Sequence, residues 1–417
     1  LTELDPVRRR QAAATLMIAR VVYAFNWYNV GAVLPLLGTG LGLSTYQLGI
    51  VVASFLVGAG VFQVPAGLAA LRWGNRTVSV FALVLMGAFA TASAFSPNWI
   101  VLSACRFGTG AGAAFFFAPA LGLITSYFPQ GTRGPVIGGY NAGFAVGSAM
   151  GLLGGAVLGA AFGWPSALLV GGVALLGCAG GATIGLPKGE RLTRRAARQV
   201  WDSATPIFRS RSLWALSIGT AGLWAGFYIA AQYFVKFAFD VHPGWPLALA
   251  AGIPTLMILL EVPGGPIGGW LGERGGEMRR VLLVWGVAAG VALLLVPFLP
   301  FVALLPLFAF LGFADGVVFA VLYLLPSYLP ESHGESLSLA LSFVNSIQIF
   351  LGSVLAFGFA LIAQGLGYTA AWWFTGAVAL APLPLLAWVS GRRGAVGAVA
   401  LPKPATVRAV RAPNRPA

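Results

Sequence analysis

The sequence predicts an all-α membrane protein, twelve transmembrane helices in two six-helix halves, and three observations carry that expectation. The 417-residue chain is 58% hydrophobic and only 9% charged, where water-soluble domains carry about 25% charged residues. Apolar runs long enough to cross a hydrocarbon core, roughly 20 residues each, recur along its whole length. Short landmarks in the first six runs return, in the same order, in the last six.

The first six runs occupy 12–38, 44–71, 76–95, 98–127, 134–161 and 164–186. The second six occupy 212–239, 245–271, 280–299, 301–329, 335–363 and 367–390. Most connections span only a few residues, which makes successive helices antiparallel neighbours. The expected organisation is an N-terminal bundle over 1–186, a cytoplasmic linker over 187–211, a C-terminal bundle over 212–390 and a basic tail over 391–417. The linker suits either a membrane-surface helix or a solvated connection. The opening LTELDPVRRRQ reads as a charged cytoplasmic tail leading into a retained helix, with no cleavable leader expected.

Orientation follows from the cations. Of 25 Lys and Arg, all but Arg20, Arg106 and Lys236 fall on one side of this topology. Cytoplasmic loops collect Lys and Arg, so both termini are expected in the cytoplasm of an inner-membrane protein. The same distribution explains the net charge of +14 and argues against a nucleic-acid partner. Cys105 and Cys178 sit in apolar stretches as packing residues. With only His242 and His333 there is no histidine cluster for a metal. No phosphate-binding glycine loop precedes a Lys-Ser/Thr pair, which argues against ATP as energy source. No cofactor is expected, and neither is an intramembrane enzyme.

The repeat is numerical. Gly67, Arg72 and Gly74 return as Gly269, Arg274 and Gly276, a shift of 202. Ser126, Tyr127 and Pro129 return as Ser327, Tyr328 and Pro330, a shift of 201; Asn141 and Gly163 return as Asn345 and Gly367, a shift of 204. Repeated halves of this kind place a cavity at their interface. From about residue 12 to 390 the chain resembles the major facilitator superfamily. That family's loop after its second helix reads G-x-x-x-D-R-x-G-(R/K)-(R/K). Here it is Gly67-Leu-Ala-Ala-Leu71-Arg72-Trp73-Gly74-Asn75-Arg76, with Leu71 replacing the acid. The second copy keeps its acid, as Gly269, Glu273, Arg274, Gly276, Arg279 and Arg280. Arg106, Gly110 and Gly112 match the family's fourth-helix pattern, and Tyr127-Phe128-Pro129, Arg133-Gly134 and Gly163-Trp164 are also similar to it. The resemblance implies the major facilitator fold, alternating access, and gating by Gly67, Arg72, Gly74, Arg76, Gly269, Glu273, Arg274 and Gly276. It also implies a proton-coupling role for Arg106 in some members. The family's antiporter signature pairs Gly with Pro, whereas this chain has Gly147-Ser148, which disfavours drug/proton antiport.

Glycines recur every fourth residue in the fifth run, from Gly139 through Gly143, Gly147, Gly151, Gly155 and Gly159 to Gly163; the eighth has Gly264, Gly265, Gly268, Gly269 and Gly272. Small ridges let helices approach closely in lipid. They are expected to be packing surfaces on which one half rocks against the other.

Intramembrane polar groups are costly in lipid and face partners or cavities. Arg20, Tyr23, Asn26 and Trp27 share an arc of about 120° on the first helix. Trp224, Tyr228, Gln232, Lys236 and Asp240 follow at i+4 spacing on the seventh. With Arg106, Asn345 and Gln348, the residues Arg20, Tyr23, Asn26, Trp27, Tyr228, Gln232 and Lys236 are the candidate solute contacts. Each has a plain structural alternative: a snorkelling Arg20, an internally paired Arg106, a Lys236–Asp240 pair, packing for the aromatics, and helix-to-helix hydrogen bonds for the amides. Glu261 and Asp315 are the mid-helix carboxyls and the candidates for proton coupling; their alternative is permanent ion pairing. The expected function is secondary active transport of a small organic solute, an organic anion moved in symport with protons by a monomer in the lipid bilayer. A proton-coupled efflux antiporter for amphipathic compounds is the alternative, and an intramembrane enzyme or a non-transporting sensor a remote one.

Overall fold

The computed structural model describes residues 5–128, 130–187, 204–275, 278–329 and 336–389. Among these, twelve helices are long and apolar enough to cross a membrane. They are α1 (Pro6–Leu41), α2 (Thr45–Trp73), α3 (Asn75–Ser93), α4 (Trp99–Tyr127), α5 (Gln130–Phe162) and α6 (Trp164–Gly185). Then come α7 (Arg211–Val241), α8 (Leu247–Gly275), α9 (Met278–Leu295), α10 (Phe301–Leu324), α11 (Ser336–Leu366) and α12 (Tyr368–Leu380). Short 3-10 turns extend α9, α10 and α12 to Phe298, Tyr328 and Trp388, so the sequence-predicted spans agree to within a few residues. With twelve passes, both described termini lie at the same end as the α6–α7 connection, here termed the linker end. Of the predicted linker, 188–203 lies outside the described residues, as does the tail from 390 onward; Ala204–Arg209 is a short helix.

The helix ends follow local chemistry. Ser44 and Gln47 form a reciprocal capping box at the start of α2. The Asn98 side chain accepts from the amides of Ile100 and Val101, both at 3.0 Å, and Ser210 caps α7 through Leu213 N–H at 3.1 Å. Gly163 and Gly367, predicted as equivalents, turn the two matching corners at φ +80° and +86°, a region that favours glycine.

The repeat extends to individual contacts. A Cβ on Gly110 would lie 1.9 Å from the Phe55 carbonyl oxygen, and one on Gly312 would lie 1.8 Å from that of Met257. Both pairs are related by the shift of 202, so α2–α4 and α8–α10 pack by the same backbone-to-backbone approach. Ser126 Oγ donates to Leu123 O at 2.9 Å and Ser327 Oγ to Leu324 O at 2.6 Å, again one shift apart. Asn141 and Asn345 part company: the first is exposed and the second buried.

The α5 glycine ridge corrects one expectation. It packs on α1 of the same half rather than on the other half. A Cβ on Gly147 would meet Val21 O at 2.1 Å, and one on Gly151 would meet Phe25 O at 2.5 Å. Residues of α1 also advance by four against each step of the ridge, so two parallel helices mesh along their length. The α8 glycines behave likewise. Gly264 and Gly268 approach the carbonyls of Phe313 and Val317 on α10, while Gly265 and Gly269 face open space. The halves meet instead along α2–α11, α5–α8 and α1–α7.

Candidate solute site and its gates

Arg20 enters the interior from α1, about three turns beyond the triple arginine Arg8, Arg9 and Arg10. It is 5% exposed, so it does not snorkel. Its guanidinium carbon lies 4.4 to 5.1 Å from four ring centroids: Tyr23, Phe117, Tyr140 and Phe144. A cation over ring faces is stabilised by their quadrupoles, but rings supply no counter-charge. Its Nε and Nη1 are buried and make no well-formed hydrogen bond among the described residues.

Across from this cage, Arg20 acts electrostatically on Glu261 of α8 and Tyr323 of α10. Glu261 in turn acts on Asp315, and Tyr28 lies in the field of both carboxylates. Glu261 and Asp315 are half-buried. Among the described residues neither forms an ion pair; the ion pair there is Lys236–Asp240. Permanent pairing, their structural alternative, is thus not what the described residues make. The Tyr323 hydroxyl donates to Asn345 Oδ1 at 2.9 Å, which brings α11 into the cluster.

Arg106 is 1% exposed. It stacks over Phe55 at 4.4 Å and donates to the Asn26 carbonyl at 3.4 Å, and it interacts electrostatically with Tyr228 of α7. A tilted and T-shaped aromatic wall separates it from Arg20. Trp27 lies 4.8 Å from Phe55, 5.9 Å from Tyr23 and 6.0 Å from Phe144. The Trp27 Nε1 and Tyr228 hydroxyl are buried and make no well-formed hydrogen bond among the described residues. Tyr228 stacks on Trp224 with rings 6° apart and lies 5.9 Å from Tyr28. Of the two helical arcs, the structure brings together Arg20, Tyr23, Trp27, Trp224 and Tyr228.

Four candidates are engaged in helix-to-helix or end contacts. Asn26 turns away toward α6, where its Nδ2 donates to Gly171 O at 3.0 Å. Gln232 ties α7 to α1 through Trp27 O at 2.7 Å. Gln348 donates to Thr220 Oγ1 at 2.7 Å. Lys236 pairs with Asp240, which also accepts from the Tyr368 hydroxyl. An arc on a helical wheel tells which side of a helix a residue is on, not which of two flanking helices claims it.

That last cluster closes the end opposite the linker. Lys236 lies against Gly38 of α1, Thr45 reaches the Tyr368 hydroxyl, and Tyr46 N donates to Gln364 Oε1 at 2.6 Å. Asp240→Asn is expected to loosen this contact between first-half and second-half helices. A cysteine at Thr45 should then react a few-fold faster with an impermeant maleimide than in the Asp240 parent, in keeping with the modest strength of partly exposed ion pairs. Equal labelling would show that Asp240 does not hold the closure.

At the linker end the motif residues divide. Arg76 Nε and Nη2 donate to Leu186 O at 2.8 Å and Thr183 O at 2.6 Å, clasping the end of α6. Arg279 Nη1 donates to Ala387 O at 3.1 Å at the end of the twelfth span, a shift of 203 away. Cations suit the exposed carbonyls of a helix C-terminus. Arg72 lies over Trp73 at 5.8 Å. Gly67 and Gly269 border open space and Gly74 turns at φ +85°. Glu273 is exposed, the Arg274 side chain is not described, and Gly276 lies outside the described residues. The sequence reading missed Tyr28, Phe117, Tyr140, Phe144 and Tyr323. Their signals were available: Tyr140 and Phe144 each follow a ridge glycine by one residue, and Tyr323 sits two turns beyond Asp315.

The profile of the Major Facilitator Superfamily matches residues 16–353. The chain belongs to this superfamily. As a member it is a multi-pass membrane protein with twelve candidate spans, and the resemblance read from its loops is borne out. The 4-hydroxybenzoate transporter PcaK of Pseudomonas aeruginosa is 33% identical over 181 residues, 43% of this chain and 40% of that protein. The gallate transporter of Pseudomonas putida is 29% identical over 161 residues, 38% of this chain and 36% of that one. The chain thus matches about two fifths of the length of these relatives. A crystal structure of a D-xylose-proton symporter superposes with a TM-score of 0.75, at 14% identity, over 92% of this chain and 99% of that one. At that identity the likeness concerns the superfamily fold alone.

Proposed function

We propose that this superfamily member is a proton-coupled symporter of small organic anions, aromatic carboxylates in particular, working by alternating access. The supporting observation is Arg20: a buried guanidinium caged by aromatic rings, with unfilled donors, in the field of Glu261, which is itself beside Asp315, two carboxyls that have no ion-pair partner among the described residues. A carboxylate would complete the donors of Arg20, and an aromatic body would pack on Phe144, Trp27 and Tyr28. Relatives that carry 4-hydroxybenzoate and gallate by name support the same solute class. Glu261 and Asp315 would take up the proton. In this reading the halves 1–186 and 212–390 rock about the bound solute, joined through 187–211, with both termini in the cytoplasm of the inner membrane. The unit is a monomer.

The reading is tested by uptake into proteoliposomes. Wild-type protein should accumulate 4-hydroxybenzoate or a related aromatic acid when a proton gradient is imposed, and should ignore xylose. Glu261→Gln and Asp315→Asn should each abolish gradient-driven accumulation while solute exchange at equal pH survives. If both variants concentrate solute at the wild-type level, these carboxyls do not couple protons.

A further inference from the structure

We infer that transport is electroneutral, with one proton crossing for each negative charge on the solute. The inference rests on the proposed symport and follows from a charge inventory of the interior. Among the described residues, the ionisable side chains within the spans and away from the linker end are Arg20, Arg106, Glu261 and Asp315, with Lys236 and Asp240 at the opposite end. Lys236 and Asp240 cancel in their ion pair. Arg20 and Arg106 remain as two positive charges, both buried, and Glu261 and Asp315 as two acids. The first six helices supply the cations and the last six the acids, so the empty interior is neutral only when the halves are counted together.

Arginine keeps its proton in proteins. A phenol, with an ordinary pKa of about 10, is neutral at physiological pH, so Tyr23, Tyr28, Tyr140, Tyr228 and Tyr323 add no charge. Only Glu261 and Asp315 can therefore answer a change in charge. A bound monoanion would leave the interior one negative charge in excess, and a net charge is expensive to enclose between apolar helices. One proton on either carboxyl restores neutrality. The loaded and the empty carrier then both cross the occluded state uncharged, and the proton leaves with the solute on the far side. A dianion would draw two protons, which is as many as the two acids can hold.

Proteoliposomes with independently set pH gradient and potassium-valinomycin potential test this, using 4-hydroxybenzoate as the monoanion probe. Accumulation should reach about tenfold per pH unit, the equivalence of one proton per solute, and stay unchanged by voltage. If one net charge moved per cycle, a potential of about 100 mV would alter accumulation roughly fiftyfold; that result would overturn the inference and leave proton coupling standing. Absence of any response to the pH gradient would overturn both. Glu261→Gln supplies a second reading. It leaves the empty interior at one positive charge, so its residual net uptake should become voltage-sensitive while exchange persists. A voltage-insensitive Glu261→Gln would remove Glu261 from the charge balance.

Discussion

Arg20→Gln is expected to reduce aromatic-acid uptake by roughly 30-fold to several-thousand-fold, the range spanned when one partner of a buried charge pair is truncated. The same substitution should leave thermal stability unchanged or raise it. Arg20 is 5% exposed, with two nitrogens lacking acceptors among the described residues; removing a buried charge that forms no ion pair there relieves a desolvation cost, while a proton on Glu261 or Asp315 keeps the interior neutral. Opposite signs on uptake and stability are the signature of a group kept for its ligand. Arg20→Lys should recover only part of the activity, because an ammonium keeps the charge and loses the planar fork that matches a carboxylate. Uptake, together with size-exclusion thermal-shift profiles, checks all of this. A fall in both quantities would make Arg20 a structural residue.

Leucine at Gly110, Gly147 or Gly312 is expected to prevent recovery of folded protein. At these positions a Cβ would stand 1.9, 2.1 and 1.8 Å from a backbone oxygen of the neighbouring helix. Overpacking of a core typically costs about 1–3 kcal/mol, and here the obstacle is backbone, which cannot swing aside as a side chain does. The helices should still insert, since leucine favours insertion; what fails is their association within one half. Gly177→Leu is the control, because its added carbon meets nothing within 4 Å. It should be recovered at wild-type levels. Folded Gly147→Leu that merely fails to transport would restore the ridge as a moving surface, so fluorescence-detected chromatography decides between the two roles.

The division between sequence and structure falls where solvent logic gives way to neighbour choice. A bilayer demands long apolar helices with cations at one end, so the twelve spans, the repeat and the mid-span position of Arg20, Arg106, Glu261 and Asp315 were legible from periodicity and composition. Gly163 and Gly367 were legible as equivalent corners for the same reason, because a tight hairpin needs a residue free to adopt positive φ. Helix spacing, by contrast, defines a face and leaves its partner open. Asn26 shares an arc with Arg20 and Trp27, yet it spends its amide on the Gly171 carbonyl of α6. The α5 ridge could have met either half, and it meets α1 because both helices advance by four in step. The aromatic cage draws on α1, α4 and α5, and the opposing acids on α8 and α10. Cage and acids meet only when residues up to about 300 positions apart are brought together, so the tertiary structure decided that Arg20 lies in the field of Glu261, and Glu261 in that of Asp315, with none of the three in an ion pair among the described residues.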